Sequence, residues 1–425
     1  MLLLLLLLLL ISISIINCLY PGVSRLTLNE RKISGSNDSI FIKLKSLSIY
    51  DMDIFAYIND KDKWILQGRL KAGETTSLGS RIGQQLKYVI NDKEYEPFIL
   101  SKSKVLYSLE DETTTDDMRN EINDENNYSI EYQKTHNRPW IGYYGRYGKS
   151  NTRSSERSPP NLFMYEAIKA GDKYEKTSNA FKWVNGNEIK QSTIYTIEVI
   201  CTAPKVFVIK DFLSDYEIDT IKTAASSILQ KSEVGHESYG GSENDLTQRS
   251  STSCWLSRGS SDITESIYCR AADLLGIDRT KMTEKSNAEA IQVVHYDVDQ
   301  RFNCHYGISS HTLFIFIQIT LTPYISLDFT IDSEPSSRFL TLLVYLNDQE
   351  DENSGGETAF PKASSESLGL SSNDEMKGFK VHAGKGSAIL FYNLLQDGNG
   401  DYLSLHSGLP VLKGEKWACN LWVWA

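Results

Sequence analysis

The sequence predicts a mostly β protein: a double-stranded β-helix, or jelly roll, with helices on its N-terminal flank, preceded by a small β-sandwich-like domain. Three observations carry this reading. Short apolar runs such as "RFLTLLVYLND", "FKVHAG" and "SAILFYN" are bounded by Gly and Asn/Asp turns, which is how a jelly-roll core is written. Upstream of them, two segments repeat apolar residues at helical spacing. Nearer the N-terminus, residues 25–105 alternate apolar and polar positions between turns, as a small sandwich does.

The elements follow in order. Residues 1–19 open with "MLLLLLLLLLISISIINCLYPG", an apolar run of signal-peptide length that is short for a membrane span and has no Lys or Arg before it. It predicts entry into the secretory pathway, with residence in the endoplasmic reticulum lumen or secretion, and no membrane span after cleavage. Asn37 and Asn127 stand in N-x-Ser sequons usable there, and no KDEL-like tail is visible. After the sandwich-like module, residues 106–137 read as an acidic linker, because Glu110 to Asn127 holds too few apolar residues to pack. Residues 138–203 form a tyrosine-rich connecting region with a Ser/Arg/Pro stretch. In the catalytic region, 204–425, Ser214 and Glu217 make a capping box ahead of Ile218, Ile221, Ala225 and Ile228. A second helix is predicted from Asp262, with Glu265 three residues on, to Gly276.

Composition excludes several classes. The net charge is −11 over 425 residues, and Arg138, Arg146, Lys149, Arg153 and Arg157 are too dilute for a nucleic-acid surface. There is no P-loop, CxxC pair or serine nucleophile elbow. Of six cysteines, five remain once a leader containing Cys18 is removed, so at most two bridges form, and Cys304, beside His305, is the candidate for the unpaired thiol.

The chemistry is concentrated near the C-terminus. His406 precedes Lys416 by ten residues; a neutral imidazole suits a divalent transition metal, and an ammonium can grip the carboxylate of a co-substrate beside it. An Fe(II) facial triad needs a second histidine and an acid. "HYD" at 295–297 offers both on one strand face, whereas "CHYG" at 304–307 has the histidine without the acid. A lone strand histidine is more often a satisfied core or surface residue, and Lys416 alone could be a solvated lysine.

Four strings, "EAIQVVHYDVDQRFNCHY", "DSEPSSRFLTLLVYLND", "SGGETAFPK" and the C-terminal stretch, resemble in order the catalytic domain of prolyl 4-hydroxylases over roughly 204–424. The family places a tyrosine nine residues before the first metal histidine, matching Tyr296 and His305, and an aspartate at the position held here by Gly307. Deleting 307–331 joins the halves into "CHYDSEPSSRFLTLLVYLND", so this apolar stretch reads as an insertion of the kind a retained intron would leave, with Asp332 as the displaced ligand. The resemblance implies Fe(2+) held by His305, Asp332 and His406, 2-oxoglutarate gripped by Lys416 and Tyr296, and L-ascorbate to rescue oxidised iron. Arg338 and, on the opposite wall of the groove, Trp422 would contact a proline-containing peptide; read without the resemblance, they are a surface salt bridge and a core tryptophan. Trp424 departs from the histidine often found at its position. The implied reaction is proline hydroxylation with release of succinate and CO₂, and a luminal partner subunit is a further implication.

Three arrangements of the metal site stay open: Asp332 reaches the iron across the insertion, this version of the chain is a catalytically impaired isoform, or His295 and Asp297 form the dyad. A chloride-binding variant of the site is a fourth. The alternative function is a binding module for proline-rich peptides. "LKAGET" and "SRIGQQLKYV" give the 25–105 module a similarity to the β domain of the von Hippel-Lindau protein, implying recognition of a hydroxylated or proline-bearing peptide.

Overall fold

The computed structural model describes residues 22–27, 29–30, 39–59, 62–101, 104, 106–138, 140, 162–232, 249–305, 338–351, 353–369 and 377–424. The apolar leader, the insertion at 307–331 and Asp332 lie outside the described residues.

Two sheets build the jelly roll. The larger has nine strands in the order β10-β13-β14-β22-β19-β24-β17-β16-β15. Its members are β10 (Lys173–Ser178), β13 (Thr193–Thr202), β14 (Lys205–Ile209), β15 (Gln230–Lys231), β16 (Thr252–Leu256), β17 (Ile291–Tyr296), β19 (Arg338–Tyr345), β22 (Ala388–Tyr392) and β24 (Lys416–Trp424). The smaller runs β1-β21-β20-β23-β18, from β1 (Val23–Arg25), β18 (Phe302–His305), β20 (Thr358–Ser364), β21 (Lys377–Val381) and β23 (His406–Gly408).

Alternation along each central strand divides its residues between two cores. Phe207 and Ile209 of β14 face one cluster, while Val206 and Val208 face another. The first cluster packs Leu342, Leu390 and Leu421 against helix α2 (Asp215–Ser226) through Ile218, Ile221 and Ala225, and against helix α3 (Asp262–Leu275) through Ile267, Ala271 and Leu274. The second joins the two sheets through Ile389, Phe391, Phe360, Phe379 and Val381.

The capping box of α2 forms as the sequence predicts, with Ser214 and Glu217 bonding reciprocally. Glu217 does more than cap: Arg270 of α3 donates to it at 2.6 Å, and both side chains are fully buried. In α3 the cap is Ser261 and its partner Thr264, one residue earlier than the Asp262/Glu265 reading, because Glu265 is occupied by Arg258 at 2.6 Å. Gly276 closes the helix in the left-handed conformation, φ 66°, that glycine tolerates best.

The N-terminal module is a sandwich. Strands β2 (Ser39–Ser46), β5 (Thr75–Arg81) and β9 (Leu106–Leu109) form one sheet; β3 (Met52–Ile58), β4 (Lys63–Leu70), β6 (Gln85–Ile90), β7 (Lys93–Glu94) and β8 (Phe98–Ile99) form the other. Ile42, Leu44, Ile54, Leu86 and Leu109 fill the space between them. Strands β11 (Lys182–Val184) and β12 (Asn187–Ile189) make a separate hairpin.

Three sequence-derived boundaries need correction. The acidic segment read as a linker contains a helix, α1 (Asp116–His136), capped by Thr115 and ended by Asn137 in the left-handed region. Asp116 and Asp117 lie at its positive end and Lys134 and His136 at its negative end, so the charges that suggested disorder complement the helix dipole. Few apolar anchors suffice: Ile122 packs on Leu47 and Leu106 of the sandwich, and the Tyr132 hydroxyl donates to Asp397 at 2.7 Å. The jelly roll also begins earlier than residue 204, since β10 and β13 belong to the nine-stranded sheet. Finally, Arg25 does not belong to the sandwich: β1 pairs with β21, Leu26 is buried against Ala359 and Leu409, and Glu30 pairs with Lys380 at 2.7 Å. Among the described residues, none of Cys201, Cys254, Cys269, Cys304 and Cys419 is in a disulfide.

Candidate metal and co-substrate site

His305 ends β18 and His406 opens β23, and antiparallel pairing sets them opposite each other as register partners. Their rings stand 4.4 Å apart between centroids. Each Nδ1 faces the carbonyl of the residue two positions back on its own chain: Asn303 O at 2.8 Å for His305 and Ser404 O at 2.9 Å for His406. A carbonyl only accepts, so Nδ1 carries the proton and Nε2 is left as a lone-pair donor in the neutral ring. Burial keeps both rings neutral. It pushes His406 down to about 4, and it pushes His305 well below the ordinary imidazole range, helped by His406 itself. Phe302 stacks on His305 at 3.7 Å and Phe391 meets His406 edge-on at 4.6 Å, fixing both ring planes.

Two oriented, neutral, closely spaced imidazoles fit a divalent transition metal. Among the described residues no third His, Cys, Asp or Glu joins them. Asp332, the sequence candidate for the third ligand, lies outside the described residues. The rival pair, His295 and Asp297, approaches to 3.8 Å between Nε2 and Oδ1, but His295 Nε2 also bonds Glu415 at 2.9 Å, its ring packs on Trp417 at 4.4 Å, and along β17 it faces the opposite side from Tyr296.

Lys416 and Tyr296 are register partners on β24 and β17. The ammonium lies 5.6 Å from the centroid of Tyr296 and 5.6 Å from that of Tyr345, and all three side chains are buried. Burial lowers Lys416 to about 8, with Glu357 opposing the shift. A buried ammonium among aromatic rings is matched to an incoming carboxylate.

Sequence reasoning missed Tyr345. It pairs with Ala418, which shares a strand face with Lys416, so Tyr345 is a diagonal neighbour of the lysine, and its hydroxyl is fixed between Thr358 and Val381 O at 2.9 Å each. Within "RFLTLLVY" it reads as one more strand residue. Arg249, buried over the Phe302 ring at 4.7 Å with its Nε on Ser251 at 2.9 Å, was also missed; nothing in "QRSSTS" marks it.

Arg338 and Trp422 do meet, but not across a groove. The guanidinium lies 3.8 Å from the Trp422 ring centroid and is gripped from its edge by both carboxylate oxygens of Glu289. Because β19 and β24 are neighbours in the nine-stranded sheet, the two side chains form one wall, extended by Trp255 at 5.9 Å from Trp422. The expectation of opposite walls is corrected accordingly.

Residues 291–424 match the family model described as the 2OG-Fe(II) oxygenase superfamily. The chain is 32% identical over 231 residues to prolyl 4-hydroxylase 5 of Arabidopsis thaliana, covering 53% of this chain and 70% of that protein. It belongs to the prolyl 4-hydroxylase family. Prolyl 4-hydroxylase 2 of the same plant is 30% identical over 248 residues, 56% of this chain and 71% of the relative, and the prolyl 4-hydroxylase subunit alpha-1 of Gallus gallus is 30% identical over 228 residues, 52% and 36%. Among solved structures, the viral collagen prolyl hydroxylase of Paramecium Bursaria Chlorella virus-1 in its 2OG complex is similar at 25% identity, 52% of this chain and 96% of that one, with a TM-score of 0.34. As a member of this family the chain is a 2-oxoglutarate- and Fe(II)-dependent dioxygenase of peptidyl proline.

Proposed function

We propose that this chain hydroxylates peptidyl proline at a site built from His305, His406 and Asp332 as iron ligands, Lys416 and Tyr296 as the co-substrate grip, and Arg338 and Trp422 as peptide contacts. The carrying observation is the histidine pair, whose Nδ1 atoms are both spent on backbone carbonyls so that both Nε2 atoms serve a metal. When bound, iron with 2-oxoglutarate and O₂ supplies the oxidising power that places a hydroxyl on carbon and releases succinate and CO₂.

The protein's residues do the rest. Lys416 supplies the charge that orients the distal carboxylate, and the buried rings of Tyr296 and Tyr345 keep water from it. The planar stack of Arg338 on Trp422 offers a flat face for a polyproline II strand, whose preformed shape suits aromatic docking. The apolar leader supports action in the secretory lumen, where ascorbate would maintain the iron and a luminal partner subunit could associate.

A second reading rests on one observation: Gly307 stands where the family has its acid, and Asp332 follows only after residues 307–331. On that reading the chain binds proline-rich peptides or is an impaired isoform. The test is incubation of the full chain and of a variant lacking 307–331 with Fe(II), 2-oxoglutarate, ascorbate and proline-rich peptides. Succinate formation coupled to a one-oxygen mass gain on proline in the full chain is the expected result. Activity only after deletion supports the impaired isoform, and peptide binding without turnover in either supports the binding module.

A further inference from the structure

One buried carboxylate has no role in the site as described. Glu357 immediately precedes β20 and is 5% exposed. Its Oε1 accepts from Lys380 Nζ at 2.6 Å, while its Oε2 is buried with no hydrogen-bond partner. Lys380 is shared with Glu30 at 2.7 Å, so a strap from the N-terminal end of the described chain closes the set. The preceding Gly356 lies against the Lys416 stem; a Cβ there would sit 3.5 Å from Lys416 Cδ. Among the described residues around the lysine, the remaining groups carry no compensating negative charge: Tyr296 and Tyr345 present rings, and His382, against Tyr345 at 4.3 Å, is held neutral by burial and by Lys416 itself. Asp348 is directed elsewhere, accepting from the Lys385 backbone N–H at 2.7 Å.

We propose that Glu357 is the positioning counter-charge of Lys416, held in place by Lys380 and, through it, by Glu30 of the N-terminal strap. The four groups form a charge-balanced set of two carboxylates and two ammoniums, in which Lys380 is engaged by both acids and the excess negative charge falls toward Lys416. Glu357 does not touch the co-substrate in this scheme. It keeps Lys416 protonated while the pocket waits, which burial alone disfavours. The inference deepens the proposed co-substrate site and rests on Lys416 being its carboxylate grip. It also gives Val23–Arg25 and Glu30 a functional reason to be tied to β21.

The test follows Lys416 directly, by titrating ¹³C-labelled lysine side chains by NMR in the metal-free full chain, with Lys416→Arg used to assign the resonance. Glu357→Gln, which keeps shape and removes charge, is expected to lower the midpoint of Lys416 by about one pH unit, the size of a single nearby opposite charge. Glu30→Gln, which leaves Glu357 wholly to Lys380 and disturbs a less buried residue, moves it the same way by less and guards against misfolding of the first variant. Glu94→Gln in the sandwich leaves it unchanged. In cobalt-loaded protein, equilibrium binding of 2-oxoglutarate weakens about tenfold in Glu357→Gln on the alkaline side, since one unit of pKa corresponds to tenfold in the charged fraction there. A Lys416 titration identical in wild type, Glu357→Gln and Glu30→Gln overturns the proposal. Wild-type protein that binds no 2-oxoglutarate would instead overturn the functional reading, and the metal-free titration separates the two failures.

Discussion

The two sheets of the jelly roll are made differently. The nine-stranded sheet buries aliphatic and aromatic side chains on its helix-covered face, where the buried ion pair of Glu217 with Arg270 joins the covering helices, and its other face carries Lys416, Tyr296 and Tyr345. The five-stranded sheet is built of shorter strands and carries His305, His406 and Lys380, with buried Glu357 just ahead of β20. Packing against the helices is confined to one face of the larger sheet, and the chemistry lies between the two sheets, the histidines coming from one and the co-substrate grip with the Arg338 and Trp422 wall from the other. The helix-covered face is a packed platform, and the space between the sheets holds, beside an apolar cluster, polar groups whose burial works against stability.

That division can be broken by variants on either side. On the platform side, Arg270→Met leaves the Glu217 carboxylate buried without its cation. It should destabilise the fold by about 3–5 kcal/mol, measured by denaturant unfolding, while the protein that remains folded binds metal normally. On the chemical side, His406→Ala should reduce succinate formation by at least about a hundredfold, more than the loss of an outer-shell partner causes, while thermal unfolding stays cooperative.

Asp401 sharpens the comparison. It lies buried at the start of the short turn Tyr402–Ser404 that leads into β23, and burial raises its carboxyl to about 6, above the unfolded value of 3.8. A raised acid favours the fold only at low pH: its contribution is fully present below 3.8 and is lost as pH rises through about 6. Asp401→Asn keeps a side-chain acceptor for Leu403 N–H, and should therefore stabilise the protein by about 2–3 kcal/mol at pH 7 and by almost nothing below pH 4. The smallest effect is expected at the shared wall. Trp422→Ala removes the face under Arg338 and should raise the KM for peptide by roughly fivefold to tenfold, about 1 kcal/mol, without changing that for 2-oxoglutarate.

Much of the architecture was legible because it is local. The capping box at Ser214 and Glu217, the apolar repeats of both helices and the alternation in 25–105 are short-range signals, and the elements form there, except that Ile228 lies past the end of α2 and is exposed and that Arg25 belongs to β1 of the jelly roll. Helix α1 was misread because composition is a poor guide when charge is ordered along a helix rather than clustered. In the site, Tyr296, His305, His406 and Lys416 were named through the family resemblance, and the structure adds that strand pairing sets Tyr296 opposite Lys416 and His305 opposite His406. Tyr345, Glu357 and the strap carrying Glu30 were not, because their proximity to Lys416 arises from sheet order, β1 beside β21 and β19 beside β24, which no local pattern encodes. The wall of Arg338 and Trp422 shows the same limit: their identities could be read, but their adjacency required strand order.

The central claim is that His305 and His406, oriented by their own backbone carbonyls, form two thirds of a metal site. Cobalt(II), a redox-stable stand-in for iron, tests it most directly by calorimetric titration of the full chain and of the His305→Ala/His406→Ala double variant. One ion per chain in the wild type, with that binding abolished in the double variant, is the predicted result; equal stoichiometry and affinity in both would contradict it.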